Sequence, residues 1–584
     1  MSPHVDPDVR LARARLRIVA AVFAVALIAL GARVVDLALP TAGEAVAAVS
    51  APAAVRPRRA DIVDRNGVLL AADYPKASVF ADPLEVIDPA ASARQLARVL
   101  HGVDEADLVA KLSSERRFVW LKRHVTDVEQ RAVIRLGLPG IRFRTELHRV
   151  YPQGALTAHI VGYVGVENQG LAGFERGLEA RLLGDPRTLT LTIDLGVQEV
   201  VRSELAAAVD RFKAKGGTGL VLDVATGEIV GMVSLPDFDP NHYRRATVAQ
   251  RFNRNSQGSY ELGSLFKVFT VAMALDAGVI DMGDGYDASR RFEMGRYRID
   301  DYRAHRRWLS VPEVMAFSSN IGAARMADTM GGEAQRAYFE RFGLLEQHSI
   351  GLPEVGRPMV PDPWRPINTV TAAYGHGIAV SPLQAVDAFA GAICGEPLPR
   401  AHLVAEGPLP GRGEPPVSAE TAAKLRWLMW LTVAKGTGGQ AAVPGYLVGG
   451  KTGSADKAGR GGYRDRAIMA SFIAGFPIDR PRYAVLVTVD EPKGDSGTYG
   501  FGTGGWTAAP VAGRIISRIG PLLGLPPADP HAELWFQSRL IEGQAVNGRT
   551  HAPEPSFAAV PNVSWLQGDG GEQACACGPC WVTG

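Results

Sequence analysis

Of the eleven consecutive positions 265–275, only two, Lys267 and Thr270, are not apolar. A helix written on that stretch has no polar face to turn toward water, so the fold must surround it. The chain is long enough to do so: 584 residues at ~150 per domain suggest three or four units. Apolar residues make up 46% and charged residues 21%, the balance of an ordered globular protein. The cysteines are Cys394, Cys575, Cys577 and Cys580, three of them in the last ten positions. No disulfide framework can therefore hold the main body together, and its core must do so.

Lys267 is the anomaly in that helix. Burying an ammonium is costly, and one relief is a lowered pKa that leaves a neutral amine able to act as a base. Ser264 stands three residues earlier, on the same face one turn back, at the predicted helix start where backbone N–H groups are free. A hydroxyl, a nearby amine and unpaired donors are the parts of an activated nucleophile. Ser-x-x-Lys also arises by chance, and a lysine paired with a buried acid would account for the same pattern. Two further segments add weight. Ser318-Ser319-Asn320 follows a helix that begins with the capping-box pattern Ser310-Val311-Pro312-Glu313; an extended backbone there would point Ser318 and Asn320 the same way, and by itself the segment also suits a polar helix junction. Lys451-Thr452-Gly453-Ser454 lies on a predicted strand over 446–454, where Gly449, Gly450 and Gly453 let another backbone approach closely, although taken alone the pattern also fits an ordinary bulge.

Arg10, Arg13, Arg15 and Arg17 precede an apolar run over 18–32 that reaches 39 if Arg33 and Asp36 sit near its outer end. That is about one bilayer thickness of helix. By the positive-inside rule, residues 1–17 form a cytoplasmic tail, 18–39 a transmembrane anchor, and everything beyond is exported. A cleaved signal peptide is the alternative, since the Ala-rich stretch 45–48 offers small residues for cleavage. Either way the bulk of the chain works where no ATP or reduced nicotinamide is supplied, and it carries no phosphate loop or dinucleotide fingerprint. Lys+Arg 63 against Asp+Glu 61 leaves +2, so no global field draws the protein to nucleic acid.

Residues 40–55 are an Ala-rich linker, and short mixed α/β elements occupy 56–187. The first of these, over 59–70, reads as a hairpin around Asn66-Gly67. From 188 to 525 the character changes. Residues 189–193 alternate like a strand, 198–208 have helical spacing, and strands over 219–224, 229–233, 467–476 and 483–489 bracket a mainly helical middle. An antiparallel sheet with helices packed on it, an α+β architecture, is expected. Residues 526–584 are rich in Pro, Gly and Ala and are expected to be loosely ordered. Their Cys577-Gly578-Pro579-Cys580 has a redox spacing but no βαβ unit around it, and zinc would need a fourth ligand such as His551. Cys394 reads as a small core residue and His376, between two glycines, as structural.

The three motifs, in this order and about 50 and about 130 residues apart, resemble the active-site set of the serine penicillin-binding proteins and β-lactamases. Tyr260-Glu261-Leu262-Gly263-Ser264, Ser318-Ser319-Asn320-Ile321-Gly322, Gly377-Ile378-Ala379-Val380-Ser381-Pro382-Leu383-Gln384 and Ala508-Ala509-Pro510 extend the match. The first domain adds Asp64-Arg65-Asn66-Gly67 and Gly173-Phe174-Glu175-Arg176. Over roughly 55–525 the chain looks like a class B penicillin-binding protein, and its Ser-Ser-Asn-Ile-Gly form resembles the division-specific, septal branch. Leu262, Leu265 and Ser454 replace the usual Pro, Thr and Thr; these departures spare the motifs and bear on branch and antibiotic affinity.

The resemblance implies a transpeptidase domain of the penicillin-binding/serine β-lactamase fold, preceded by a single transmembrane helix and a smaller pedestal of the dimerisation type. It implies that Ser264 attacks the carbonyl between the last two D-alanines of a peptidoglycan stem peptide, with Lys267 as base. Ser318 would relay a proton to the leaving amine, and Asn320 would hold Lys267 and the donor. Lys451, Thr452 and Ser454 would bind the terminal carboxylate, with Ser319 and Gly453 completing the substrate site. The oxyanion hole would come from the N–H groups of Ser264 and Ser454. No metal or organic cofactor is required. Implied partners are stem peptides as donor and amine acceptor, β-lactams that acylate the same serine, and a SEDS-type membrane glycosyltransferase with other division proteins, all at the outer side of the bacterial cytoplasmic membrane. The rival readings are a β-lactamase, an elongation-type class B protein, a bifunctional class A enzyme, and a β-lactam sensor or scaffold that forms no cross-links.

Overall fold

The computed structural model describes residues 21, 24–29, 58–405, 413–459, 462–529, 531, 534 and 536–538. The expected cytoplasmic tail, the linker, the Cys577–Cys580 pair and most of the anchor and of the carboxyl-terminal segment lie outside them. Among the described residues no helix is long and apolar enough to cross a membrane.

The pedestal is organised by one long strand. Strand β1 (Ile62–Val63) turns back antiparallel into β2 (Leu69–Ala81). The turn differs from the Asn-Gly hairpin expected: only Gly67 takes a positive φ, +81°. The buried Asp64 carboxylate accepts from the N–H of Asn66 and Val68, so an acidic side chain shapes the turn in place of two left-handed residues. Helices α1 (Pro89–Val99) and α2 (Glu105–Leu112) follow, then strand β3 (Val119–Lys122), helix α3 (Asp127–Leu136) and strand β4 (Ile141–Val150). Strands β3 and β4 both pair antiparallel with β2. The helices cover one face, where Val79, Ala81, Leu96, Leu108, Leu121 and Val133 form a core.

Where pedestal and second domain join, β1 pairs parallel with β5 (Leu189–Thr190). A buried ionic cluster sits beside this junction. Arg59 donates to Glu175 at 2.7 Å and to Glu179 at 2.8 Å; Arg149 donates to the other Glu175 oxygen at 2.7 Å and to the Ala60 carbonyl. Asp73 accepts from the Arg59 backbone at 2.8 Å.

The second domain is a five-stranded sheet covered on both faces. Helix α4 (Leu195–Arg211) precedes strands β6 (Gly216–Asp223) and β7 (Ile229–Leu235). The helical middle includes α5 (Phe266–Asp276), α6 (Val311–Ala316), α7 (Asn320–Met330), α8 (Pro382–Cys394) and α9 (Ala419–Lys435). Strands β8 (Gly449–Gly459), β9 (Gly462–Phe476) and β10 (Tyr483–Asp490) then precede helix α10 (Ala508–Leu522). The order across the sheet is β8-β9-β10-β6-β7, antiparallel throughout. Every residue of β6, β7 and β10 is buried, because the alternating side chains meet a core on either side. Val221, Val485 and Val487 face α4 and α10, while Leu220, Leu222 and Leu486 join the larger core that contains α5, α8 and α9. Every residue from Phe266 to Leu275 is buried. The strand expected over 446–454 begins at Gly449 and runs to Gly459. At the start of the carboxyl-terminal segment, Phe536 is buried against Trp430, and its carbonyl accepts from the Trp427 indole at 3.2 Å.

Candidate active site

The amino end of α5 places the candidate nucleophile. Gly263 takes φ +56°, and residues Gly263–Leu265 form one 3₁₀ turn that feeds directly into the helix. Side chains three apart eclipse in such a turn, so the Lys267 amine reaches back to the Ser264 hydroxyl at 3.0 Å. Two close backbone approaches hold this turn against β8. A Cβ on Gly263 would lie 2.8 Å from the Ser454 carbonyl oxygen, and one on Gly453 would lie 2.4 Å from that of Leu262. Gly453, expected in the substrate site, therefore acts by its missing side chain.

The second motif departs from expectation. Ser318 adopts φ +61°, and Ser319 is the N-cap of α7, with Asn320 the first helical residue. A left-handed residue followed by a helix start, not an extended strand, is what turns Ser318 and Asn320 to the same lysine. Ser319, expected in the substrate site, is engaged by the protein itself. Its hydroxyl donates to the Asp301 carboxylate at 2.8 Å and accepts from the Gly322 N–H, and it is buried away from the cleft. Asp301, which sequence reasoning missed, also accepts from the Ile321 N–H at 3.0 Å. The preceding capping box is present as expected: Ser310 accepts from the Glu313 N–H and the Glu313 carboxylate accepts from that of Ser310.

The electrostatics of Lys267 follow from its partners. Its side chain is fully buried, and among the described residues no carboxylate lies within ion-pair distance. The Ser318 carbonyl and Asn320 Oδ1, the latter at 2.7 Å, can only accept. The Asn320 amide is held in that orientation because its NH₂ donates to the Asp300 carbonyl at 3.1 Å. Two fixed acceptors consume two N–H bonds, and in a neutral amine the remaining position is a lone pair. The groups left to meet it are hydroxyls, Ser264 Oγ at 3.0 Å and Ser318 Oγ at 3.1 Å. Burial pulls the Lys267 pKa down to about 7, against the opposing charge of Asp301.

Lys451 projects from β8 into the same cluster. Its amine donates to Ser318 Oγ at 2.9 Å and to the Thr452 carbonyl at 3.0 Å. Burial first, then the charge of Lys267, push it well below the ordinary lysine value. Ser318 thus bridges two buried amines that repel each other's protons. The Thr452 hydroxyl donates to Thr437 at 2.9 Å, and Ser454, exposed at the cleft, accepts from the Gly504 N–H at 2.9 Å while keeping its own O–H to give. Thr437 and Gly504 carried no local signal in the sequence. His376 stands beside this site on the Gly375–Gly377 turn: a Cβ on Gly375 would lie 2.1 Å from the Gly263 carbonyl oxygen, and burial lowers the imidazole pKa.

A serine hydroxyl, a depressed lysine, a bridging serine and a second lysine form the centre of a serine acyl-transfer site. The family described as Penicillin binding protein transpeptidase domain matches residues 217–517, and the Penicillin-binding Protein dimerisation domain matches 54–187. The chain is 39% identical to a probable peptidoglycan D,D-transpeptidase FtsI of Caulobacter vibrioides over 483 residues, 80% of this chain and 82% of that one. It is 30% identical to stage V sporulation protein D of Bacillus subtilis, covering 87% and 85%, and 29% identical to peptidoglycan D,D-transpeptidase FtsI of Escherichia coli, covering 80% and 84%. The crystal structure of penicillin-binding protein 3 from Mycobacterium tuberculosis, complexed with aztreonam, shares the fold with a TM-score of 0.65 at 23% identity, covering 81% of this chain and 98% of that one. The chain belongs to the penicillin-binding protein transpeptidase family.

Proposed function

We propose that this protein is a peptidoglycan D,D-transpeptidase that cross-links stem peptides in septal wall synthesis during division. The observation that carries the chemistry is the Lys267 amine, with two N–H bonds committed to fixed acceptors and its lone pair left for a hydroxyl 3.0 Å away. The kinship with two FtsI proteins supports the division role.

In the first half-reaction Lys267 takes the Ser264 proton as the oxygen attacks the carbonyl between the terminal D-alanines. The oxyanion is met by the N–H groups of Ser264 and Ser454, a role that the close packing of the Gly263 turn on β8 supports. Ser318, bonded to both lysines, passes the proton on to the departing D-alanine nitrogen. An ester to Ser264 remains. In the second half-reaction an acceptor amine attacks that ester, its proton returns to the serine oxygen through the same groups, and a new amide leaves. Lys451, with the Ser454 hydroxyl and the Thr452 hydroxyl once its O–H turns from Thr437, binds the donor's terminal carboxylate. That anion supplies the counter-charge the buried amine lacks, so binding itself favours the charged form of Lys451.

The reading extends to architecture. Residues 18–39 anchor the chain in the cytoplasmic membrane with the amino end inside; 56–187 form the pedestal, 188–525 the catalytic domain, and 526–584 the tail. A SEDS-type glycosyltransferase, contacted through the anchor and pedestal, supplies the glycan strand. β-Lactams acylate Ser264 in place of the donor. A fluorescent penicillin labels the wild type covalently and leaves Ser264→Ala unlabelled; equal labelling of both removes Ser264 from its role. Cross-links formed on lipid-linked strands separate a transpeptidase from a sensor that only binds penicillin, and accumulation of a fluorescent fusion at mid-cell rather than along the flanks separates septal from lateral synthesis.

A further inference from the structure

Apart from the Ser264 cleft, a cavity of about 300 Å³ opens where pedestal strand β4 faces the Pro240–Arg245 turn of the catalytic domain. None of its lining residues belongs to the Ser264 cluster. Its size is at the lower end of the range that encloses small organic ligands. Much of the wall is apolar, from Leu147, Val164, Val166 and the Tyr243 ring.

The polar groups left over are specific. Asn168 is buried at both its amide oxygen and its amide nitrogen, and neither has a hydrogen-bond partner among the described residues. His124 Nε2 is buried and unpartnered in the same way. Its ring lies 4.4 Å from that of His148, and burial, reinforced for His148 by His124, lowers both pKa values, that of His148 to about 4. Both imidazoles are neutral at physiological pH and offer hydrogen bonds rather than charge. Asn168 and His124 both hold positive φ, 60° and 53°, which few side chains adopt without a local reason. Arg149 also lines the cavity, but Glu175, Asp73 and the Ala60 carbonyl already engage it. Arg244 and Arg245 on the open side are different: among the described residues neither has a carboxylate partner, and Arg244 lies over the Tyr243 ring at 5.9 Å.

Each unused group has a chemical complement. A carboxamide with both ends free matches another amide, whose C=O can accept from its NH₂ and whose N–H can donate to its oxygen. An imidazole nitrogen in an apolar wall matches a hydroxyl, and unpaired guanidinium groups match a carboxylate. We propose that this cavity binds an N-acyl amino sugar bearing an acidic substituent, a unit of the glycan strand. The inference rests on the reading that the chain acts on peptidoglycan, and deepens it by giving the strand a second point of attachment on the enzyme. The carboxylate can come from an unsubstituted lactyl group or from the attached stem peptide.

Binding is measured on the full chain in detergent, with Ser264 already acylated by penicillin so that the cleft is filled. The probes are the disaccharide of N-acetylglucosamine and N-acetylmuramic acid, the same disaccharide carrying its stem peptide, and neutral N,N′-diacetylchitobiose. At least one acidic probe binds about tenfold more tightly than the neutral one, the loss expected when one or two hydrogen bonds go unmade; which acidic probe does so identifies the carboxylate. Asn168→Gly, which keeps the positive φ while removing the amide, and Arg245→Glu on the exposed rim each abolish that preference and leave penicillin acylation unchanged. Equal affinity for neutral and acidic probes, unaltered preference in both folded variants, or no saturable binding overturns the proposal. Because acylation is read on the same preparation, loss of this site is distinguishable from loss of the transpeptidase reading.

Discussion

Two places in this molecule hold basic side chains out of water, and they treat them in opposite ways. At the pedestal root, Arg59 and Arg149 are as buried as any residue, yet Glu175 stands between them with one oxygen for each. Burial disfavours the Arg59 cation, but the bonds and charges of Glu179 and Glu175 outweigh it and raise its pKa. At the cleft, Lys267 and Lys451 are equally buried, and their direct partners are hydroxyls, carbonyls and a carboxamide. Asp301 acts on Lys267 only from outside ion-pair distance, and the lysine falls to about 7. The partner, not the depth, decides whether a buried cation is a strut or a base.

The largest effect that could break this contrast comes at the base. Lys267→Ala lowers the penicillin acylation rate by roughly 10²–10⁴-fold, the span of a lost general base. Its thermal unfolding midpoint changes little, because the Ser318 and Asn320 acceptors left unpaired offset the relief of a buried amine. Glu175→Ala does the reverse. It leaves two buried guanidinium groups short of a counter-ion and costs about 3–5 kcal/mol, read as a lower midpoint in denaturant, while the folded fraction acylates at the wild-type rate. A loss of acylation matching the loss of stability would show that the two clusters are not separate.

Smaller effects sharpen the comparison. Ser319→Ala removes the cap of α7 and costs about 1 kcal/mol of stability; its KM for the donor peptide is unchanged, whereas a raised KM would restore Ser319 to the substrate site. Asp301→Asn tests the distant carboxylate. A negative charge favours the ammonium form of Lys267, so its removal lowers the lysine pKa, and more neutral amine is present at a given acidic pH. The acid limb of the acylation profile therefore moves downward. An upward move would mean that Asp301 does not act through charge.

Much of this site could be read in one dimension. An apolar helix with a single lysine announces a buried amine, and the three motifs on helix and strand announce the acyl-transfer centre, because those signals are local. What the sequence hid was of two kinds. In Ser318-Ser319-Asn320 the same small polar residues suit an extended run or a helix cap, and only the positive φ of Ser318 tells them apart. The other kind is distance along the chain. Asp301 lies eighteen positions before the serine it binds, and Arg59 lies 116 before Glu175. No periodicity connects such partners, and only the family resemblance marks the Asp64 and Glu175 segments. The Asn-Gly hairpin failed for a related reason, since the aspartate two residues earlier takes over the turn.

Whether Lys267 acts as an uncharged base is read directly from the pH dependence of Ser264 acylation by penicillin. The expected rate is level in mild alkali and bends near pH 7, then falls about tenfold per pH unit as the amine is protonated. A profile with no bend between mild acid and mild alkali, or one that bends only near the ordinary lysine value of 10.5, would contradict it.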